Sequence, residues 1–462
     1  MKFIALLVAL AGVFPMSLLL RSSGLFARAF WVIIGMLPFF SAVFPMFDIG
    51  LISWGDHWIG FVYSLELTIV DILALAAFFA LPGRGLPWWC KLPALFFVIA
   101  AGLSMLQADE PLGAFFGVWQ FARMVFVMAV GGHACRVEPR IAIYILLGMS
   151  LGMGSHLVAV LQQRFILGIA QAHGLFLHQN TLGMATHMVL YPALALLLYG
   201  YRRWWLAPTV AATVIVVVLT ASRATVGFAG FGLLLTFVLL AMSGITQRQM
   251  LFAAVSVLAL AIITPLALAS FHKRFAENPL NEEQYDERAA FNRTAAFILA
   301  DHPGGIGSNH YVHVAKNFGY ASRAGVLDSE VNRRNIVHNA YWLTAAETGY
   351  LGLAAYLGML AAPLVCAFAA GWRDRNRAEG ALLLGFGVAL LIVYVHSNFE
   401  WIVFTKDVQY PLFMTMGMTF GIATCLGDLR RAERERRQRD ATGPQARAAP
   451  QVPPWAAQGW AR

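Results

Sequence analysis

The sequence predicts an all-α integral membrane protein with about 12–13 transmembrane helices and one large external loop. Apolar residues make up 59% of the 462 residues and charged residues only 12%, whereas a soluble protein carries about 25% charged residues. Apolar stretches of about 20 residues recur along the chain, and each is long enough to cross a bilayer core. Basic residues lie in short clusters between these stretches, as topogenic signals do.

The apolar stretches define the candidate spans. The first runs on to Arg21 without a small-residue cleavage site, so we interpret it as a retained span rather than a signal peptide. The candidate spans are residues 3–20, 31–48, 61–81, 92–107, 113–132, 140–161, 181–199, 204–221, 225–243, 250–269, 346–370, 379–396 and 409–426.

Charge alternation predicts the orientation. Every second connection carries Lys or Arg, which places it in the cytoplasm. The alternate connections, including the large loop 271–337, then lie outside. We divide the chain into N-terminal transmembrane helices (1–169), a core containing the loop (170–428), and a basic cytoplasmic tail (429–462). The tail is expected to be disordered, since the part after Asp440 is rich in Pro, Ala and Gln.

Composition also limits the ligands. The net charge of +9 lies in topogenic clusters, so it indicates membrane lipids and no nucleic acid as a partner. The cysteines lack the spacing of a metal site, and none lies in the loop, so we expect no disulfide, metal or cofactor. They are Cys90, Cys135, Cys366 and Cys425.

Ionisable residues in or beside a span are costly and therefore mark function by default. Each has a structural alternative. Glu66 and Asp71 could pair with a neighbouring arginine, Arg123 could brace helices or contact a substrate, and His156 and His187 could form hydrogen bonds between helices. The candidates are Glu66, Asp71, Arg123, His156, Arg164, His187, Arg223, Glu347, His396 and Glu400.

Four polar segments share the predicted outer face: 174–183, 219–228, 287–311 and 338–352. In the third, apolar residues recur at helical spacing over 288–300, which predicts an amphipathic helix on the membrane surface. Pro303 and the glycines that follow it predict a tight turn.

Two residue types in these segments suit phosphate and proton chemistry. Arg223 lies in a connection too short to be mobile, and a guanidinium is a planar donor set for phosphate oxygens, although an interfacial arginine is the alternative. His338 opens a helix at the membrane boundary, where a histidine suits proton transfer, although an ordinary helix start is the alternative. Glu347 lies near the same helical stripe and could orient His338 or be structural.

In this order, the motifs resemble the O-antigen ligase and polymerase superfamily of bacterial envelope glycosyltransferases over residues 170–355. Two departures are Ala224, where the family usually has glycine, and Asn292, where it often has tryptophan. The matching residues are His178 with Asn180, Ser222–Arg223, Arg288, His302–Pro303, Gly305 with Gly307, His338–Asn339, and Glu347 with Gly349.

The resemblance implies a glycan donor on undecaprenyl pyrophosphate and a lipid A-core or other glycan acceptor, at the periplasmic face of a bacterial inner membrane. It implies an inverting transfer with His338, Arg288 and Arg223 as catalytic residues. The loop acids adjoin Arg288 in sequence, which indicates charge pairing, so we expect metal-independent catalysis. The substrate-binding candidates are His178, Asn180, Arg293, Asn339, Glu347, Arg123 and Arg164.

Other functions stay open at this point. A polymerase or a protein O-oligosaccharyltransferase would share the chemistry and differ in the acceptor; a single large external loop favours the ligase. A lipid-linked glycan flippase or another transporter would place charged residues on both sides of the membrane midplane, whereas the unusual residues here gather at one face. A non-catalytic envelope assembly factor would use the loop as a docking surface.

Overall fold

The computed structural model describes residues 2–43, 48–83, 85–242, 244–258, 282–329 and 335–441, together with 261, 264, 265 and 332. The predicted span 250–269 lies partly outside these residues, as do the first part of the loop and the tail after 441. Apart from helical residues 247–258, the helices are α1 (Lys2–Ala11), α2 (Val13–Ser22), α3 (Gly24–Met36), α4 (Ile69–Ala80), α5 (Trp88–Ser104), α6 (Pro111–Val137), α7 (Ile141–Leu161), α8 (Gln179–Tyr199), α9 (Leu206–Leu219), α10 (Arg223–Ala241), α11 (Glu282–Asp301), α12 (Tyr311–Asn317), α13 (Tyr320–Arg323), α14 (Ala340–Arg373), α15 (Ala378–His396) and α16 (Lys406–Ala441).

The described helices confirm the all-α membrane fold. Eight of them are long and apolar enough to cross a membrane. Four shorter apolar helical segments accompany them: Leu6–Ser22, Gly24–Phe40, Ile69–Ala80 and Leu206–Leu219. These shorter segments overlap the predicted spans 3–20, 31–48, 61–81 and 204–221.

A small β-hairpin corrects the predicted spans 31–48 and 61–81. α3 ends at Met36, and β1 (Asp48–Ser53) pairs antiparallel with β2 (Ser64–Thr68). α4 begins only after Thr68, which forms a reciprocal capping box with Asp71. Polar and apolar residues alternate in β2, as in a strand. A strand needs only about five residues, so this alternation does not show in the average hydropathy of a stretch of about 20 residues.

The centre of the bundle is built from close helix pairs. α6 and α16 approach at glycines, where a Cβ on Gly417 would lie 2.4 Å from the Met128 carbonyl oxygen and one on Gly421 would lie 2.2 Å from that of Gly132. Small residues allow this approach in membrane helices, where van der Waals packing drives association. α8 and α15 pack beside this pair and are almost wholly buried.

The loop contains the predicted helix and turn. α11 buries the expected apolar stripe, with Phe291, Ala295 and Ile298 at most 4% exposed. Gly305 and Gly307 then adopt positive φ angles of 89° and 97°, which glycine accommodates without strain.

Two of the last three long helices, α14 and α16, differ from the sequence-based expectation. α14 contains a break at Gly349, where φ is 68° and ψ is −171°. α16 continues to Ala441, beyond the predicted span 409–426 and through the first part of the basic tail. The basic residues after 429 are good helix formers and extend the helix beyond its apolar part.

Candidate functional site

A buried carboxylate joins three of the predicted site residues at one end of the bundle. Glu400 lies between α15 and α16, and its side chain is 7% exposed. Its Oε1 accepts a hydrogen bond of 2.7 Å from Asn180 Nδ2 and lies 3.7 Å from Arg288 Nη2. Its Oε2 lies 3.3 Å from His338 Nδ1. We call these four residues the Glu400 cluster.

Helix starts position two members of the cluster. His178 caps α8, and its Nδ1 accepts the backbone N–H of Asn180 at 3.2 Å. Asn339 caps α14, and its side-chain oxygen accepts from the backbone N–H groups of the second and third residues of that helix. These caps satisfy donors that a helix start leaves unpaired. They hold Asn180 and His338 at the ends of rigid elements.

A backbone contact brings the two halves of the cluster together. The N–H of Ala340, the first residue of α14, donates to the carbonyl of Ser397 at 2.9 Å. Ser397 follows the last residue of α15 and precedes Glu400 by three positions. The start of α14, with His338, is therefore fixed against the segment that carries Glu400. Arg288 reaches the same carboxylate from the loop helix α11.

Electrostatics keep Glu400 ionised. Burial raises the pKa of Glu400, but the hydrogen bond and charge of His338, together with the charge of Arg288, outweigh burial and hold the pKa below its ordinary value. A carboxylate at Oε2 accepts from His338, so Nδ1 of that imidazole carries the proton. When this ring is neutral, its lone pair lies at Nε2.

The surroundings of His178 favour its neutral form, whereas those of Glu400 favour the charged form. Burial lowers its pKa, and the nearby Glu400 only partly opposes this effect, while His338 and His173 add to it. A neutral imidazole is what its cap requires, since Nδ1 accepts a hydrogen bond from Asn180. His178 thus acts in this structure as a helix cap beside the cluster.

Arg223 lies at the same end of the bundle. It is exposed and is the first residue of α10, whose cap is the Ser222 side chain. Farther along that helix, the Phe228 ring packs against His396 and Phe399, with ring centroids 5.0 and 5.8 Å apart. Phe399 immediately precedes Glu400, so α10 borders the cluster with its N-terminal end.

Three predicted arginines make contacts elsewhere. Arg123 is buried in α6 and binds Asp71 at 2.7 Å and Glu66 at 3.1 Å. Arg293 donates twice to the carbonyl of Ala324 within the loop. Arg164 donates to the carbonyl of Ala170 at 3.0 Å. The structure does not bring these three arginines into the Glu400 cluster.

Glu347 anchors the loop. Its carboxylate accepts backbone N–H groups from Asn309 at 2.8 Å and Tyr311 at 3.1 Å. Its own carbonyl accepts from Gly307 at 2.9 Å, and the Tyr350 N–H donates to Pro303 at 3.1 Å. Glu400, rather than Glu347, makes the contact that orients His338.

Sequence reasoning singled out Glu400 as a costly ionisable residue but did not assign it to the site. The available signal was its place in a short connection on the predicted outer face, four residues after His396. That position put it on the same face as His338 and Arg288. The helical spacing instead favours Glu347, which follows His338 by nine residues and lies near the same helical stripe.

The fold and the cluster define a multi-pass helical membrane protein in which a buried carboxylate contacts a histidine and an arginine at one end of the bundle. Residues 208–357 match the family model described as O-antigen ligase. The match spans about a third of the chain and contains Arg223, Arg288 and His338. It confirms the resemblance to the O-antigen ligase superfamily of membrane glycosyltransferases. A comparison with curated proteins finds no match.

Proposed function

We propose that the protein transfers a glycan from undecaprenyl pyrophosphate to an acceptor hydroxyl at the periplasmic face of a bacterial inner membrane. The proposed acceptor is lipid A-core, which makes the reaction that of an O-antigen ligase. The observation that carries this proposal is the Glu400 cluster, in which one buried carboxylate holds both an imidazole and a guanidinium. The family match supplies the class of reaction.

The proton step uses His338. Its Nδ1 faces Glu400, and its side chain is 30% exposed, so Nε2 can meet an acceptor hydroxyl. As the hydroxyl oxygen attacks the anomeric carbon, its proton passes to Nε2, and the resulting imidazolium is stabilised by the Glu400 carboxylate. A histidine oriented by a buried carboxylate is a recurrent arrangement for general bases.

The leaving group requires positive charge. The bond between the anomeric carbon and the pyrophosphate oxygen breaks as the new glycosidic bond forms, and undecaprenyl pyrophosphate departs with that electron pair. Arg288 and Arg223 are exposed at the same end of the bundle and can stabilise the developing charge, since guanidinium groups bind phosphate oxygens well. Direct displacement inverts the anomeric centre.

The choice of ligase over polymerase depends on the outer connections. The sequence has one large external loop, 271–337, and short connections elsewhere on the predicted outer face. The described part of this loop docks onto the bundle through Glu347 and presents Arg288 to Glu400. This arrangement suits one lid over one acceptor site, which is the basis for proposing a single transfer to lipid A-core.

The first prediction tests the reaction. The change is His338→Ala or Arg288→Ala, assayed in membranes with a lipid-pyrophosphate-linked glycan and lipid A-core. We expect each variant to lose at least about 100-fold in transfer rate, as expected for removal of a general base or of a charge-stabilising donor. Arg323→Ala is the matched control, because this loop arginine is 57% exposed and pairs with Asp301.

Full activity of both variants would overturn the proposed mechanism, and equal losses in the control would show that loop arginines act nonspecifically. Lipopolysaccharide from cells lacking the protein identifies the acceptor. Loss of all attached polymer supports the ligase, whereas a cap of a single repeat unit indicates a polymerase. Normal polymer that accumulates on the cytoplasmic leaflet indicates a flippase.

A further inference from the structure

A cavity of about 620 Å³ lies at the end of the bundle opposite the Glu400 cluster. Its walls come from α2, α3, α4 and the turn between α6 and α7. α7 begins beside the cavity at Ile141 and ends at Leu161. The segment after α7 leads to the start of α8, where Asn180 contacts Glu400, so the cavity and the cluster lie at opposite ends of α7. The connections that form the cavity are those that the charge pattern places in the cytoplasm.

The rim of this cavity carries one basic and one acidic side chain without partners. Arg28 and Glu138 both line the cavity. Within the described part of the chain, neither side chain has a hydrogen bond or an ion pair. Charged groups near a membrane interface normally gain from pairing, since the environment screens them less than bulk water does. Arg28 is exposed and Glu138 is partly exposed, so both are accessible at the rim, and together they are complementary to a ligand that carries a negative and a positive group.

The third charged residue at the rim, Arg21, already has hydrogen-bond partners. Arg21 donates through Nε to the carbonyl of Ala80 at 3.1 Å and through a terminal nitrogen to that of Phe79. These are carbonyls of the last turn of α4, which a helix end leaves without an intrahelical partner. Arg21 therefore closes one side of the rim, and Arg28 is the guanidinium that faces a ligand.

The floor of the cavity is apolar. Trp31 lies one turn beyond Arg28 on α3, Ala77 lies one turn inside the end of α4, and Tyr144 lies one turn into α7. The walls from α3 and from the start of α7 thus change from charged to apolar or aromatic side chains along the direction that leads into the bundle, and the wall from α4 is apolar throughout. This order matches an amphiphile with its headgroup at the rim and an acyl chain against the floor.

We propose that this cavity binds a membrane phospholipid with a zwitterionic headgroup, a phosphate with a primary ammonium, as in phosphatidylethanolamine. Arg28 binds the phosphate, and Glu138 accepts hydrogen bonds from the ammonium. The acyl chain lies against Leu20, Leu81 and Tyr144, which line the cavity and are partly exposed. The inference concerns a site separate from the Glu400 cluster and does not depend on the proposed transfer reaction.

The test is a lipid titration of the purified full-length protein followed by native mass spectrometry, with phosphatidylethanolamine and phosphatidylglycerol as probes. We expect Arg28→Gln to weaken binding of both lipids about tenfold, the cost of a lost charge-assisted hydrogen bond. Glu138→Gln is expected to weaken only phosphatidylethanolamine. The matched controls are Arg373→Gln and Glu435→Gln, which remove exposed charges outside the cavity and should change neither affinity.

A steric variant tests the floor independently of charge. Ala27 lines the cavity and is only partly buried, so Ala27→Trp should fill the space and abolish binding of both lipids. Binding unchanged in Arg28→Gln or in Ala27→Trp overturns the proposal, because bulk lipid would then account for it. Tighter phosphatidylglycerol binding in Glu138→Gln with unchanged phosphatidylethanolamine binding also overturns it, in favour of an anionic lipid. Thermal unfolding without added lipid confirms that each variant is folded.

Discussion

At the scale of single residues, the Glu400 carboxylate has a large energetic effect because it is buried and shared. Removing one partner from a buried charge leaves that charge uncompensated, which is costly. Here Asn180 and His338 hydrogen-bond to the carboxylate and Arg288 lies within ion-pair distance. A change at any member therefore alters the position of the others, and the four residues are expected to behave as a unit.

The pH dependence of stability follows from Glu400. Its pKa in the folded protein lies below its value in the unfolded chain, so ionised Glu400 stabilises the fold above the unfolded-state pKa. This stabilisation is lost as the pH falls through the folded-state pKa. We expect thermal unfolding in detergent to show a steeper loss of unfolding temperature on acidification for the wild-type protein than for Glu400→Gln. Asp301→Asn, at an exposed ion pair, should follow the wild-type curve. Parallel curves for the wild type and Glu400→Gln would contradict this account.

The site residues that the sequence predicts are those whose residue type and position suggest a role without knowledge of their contacts. Arg288, Arg223 and His338 stand out because of their type and their place on the outer face. The role of Glu400 depends on contacts with residues 62 to 220 positions away in sequence. Such pairings follow from how the helices pack, and a single sequence does not encode them in any local spacing.

At the scale of elements, the break in α14 holds the loop. Gly349 has φ 68° and ψ −171°, a region accessible essentially only to glycine. A Cβ at this position would lie 2.4 Å from the carbonyl oxygen of Pro303. The break thus makes room for the loop turn. Glu347, two residues before Gly349, accepts hydrogen bonds from the backbone that follows this turn.

Gly349→Ala should therefore loosen the loop. The backbone conformation alone costs about 1–3 kcal/mol for a residue with a Cβ, and the contact with Pro303 adds to it. We expect a lower unfolding temperature, faster proteolysis of the loop and a loss of transfer activity. Gly358→Ala in the same helix is the matched control, because a Cβ there meets nothing within 4 Å. If both variants show the same stability and proteolysis, the break does not anchor the loop.

Elements with a long, uniform apolar signal were predictable. The bounds of α8 and α15 lie within two residues of the spans predicted from the sequence, since about twenty apolar residues outweigh any local preference. β2 was not predicted, because its five residues adjoin an apolar helix and share its average hydropathy. The hairpin is defined by its pairing, with Asp48 opposite Thr68, and that pairing is a tertiary property.

At the scale of the whole molecule, a second polar network joins elements that are far apart in sequence. Arg123 on α6 binds Glu66 on β2 and Asp71 on α4. Tyr410 on α16 donates to Asp71 at 2.9 Å and accepts from Arg123 at 3.0 Å. The network therefore fixes the N-terminal hairpin and helix to the central pair α6 and α16. This is the bracing alternative for Arg123, and it is distinct from the residues that meet at Glu400.

The two networks make opposite predictions for arginine variants. Arg123→Met leaves two carboxylates without their main partner in the bundle interior, which should cost about 3–5 kcal/mol of stability and lower the unfolding temperature. Its transfer rate per folded molecule should stay near the wild-type value, because the Glu400 cluster is unchanged. Arg288→Met should reverse this balance: a smaller loss of stability than in Arg123→Met, because Arg288 is 54% exposed and Glu400 keeps its hydrogen bonds from Asn180 and His338, with at least about 100-fold lower transfer. Both quantities can be measured on the same purified samples, by thermal unfolding and by the rate normalised to folded protein. A transfer defect in Arg123→Met that persists after this normalisation would assign Arg123 to the substrate rather than to the brace.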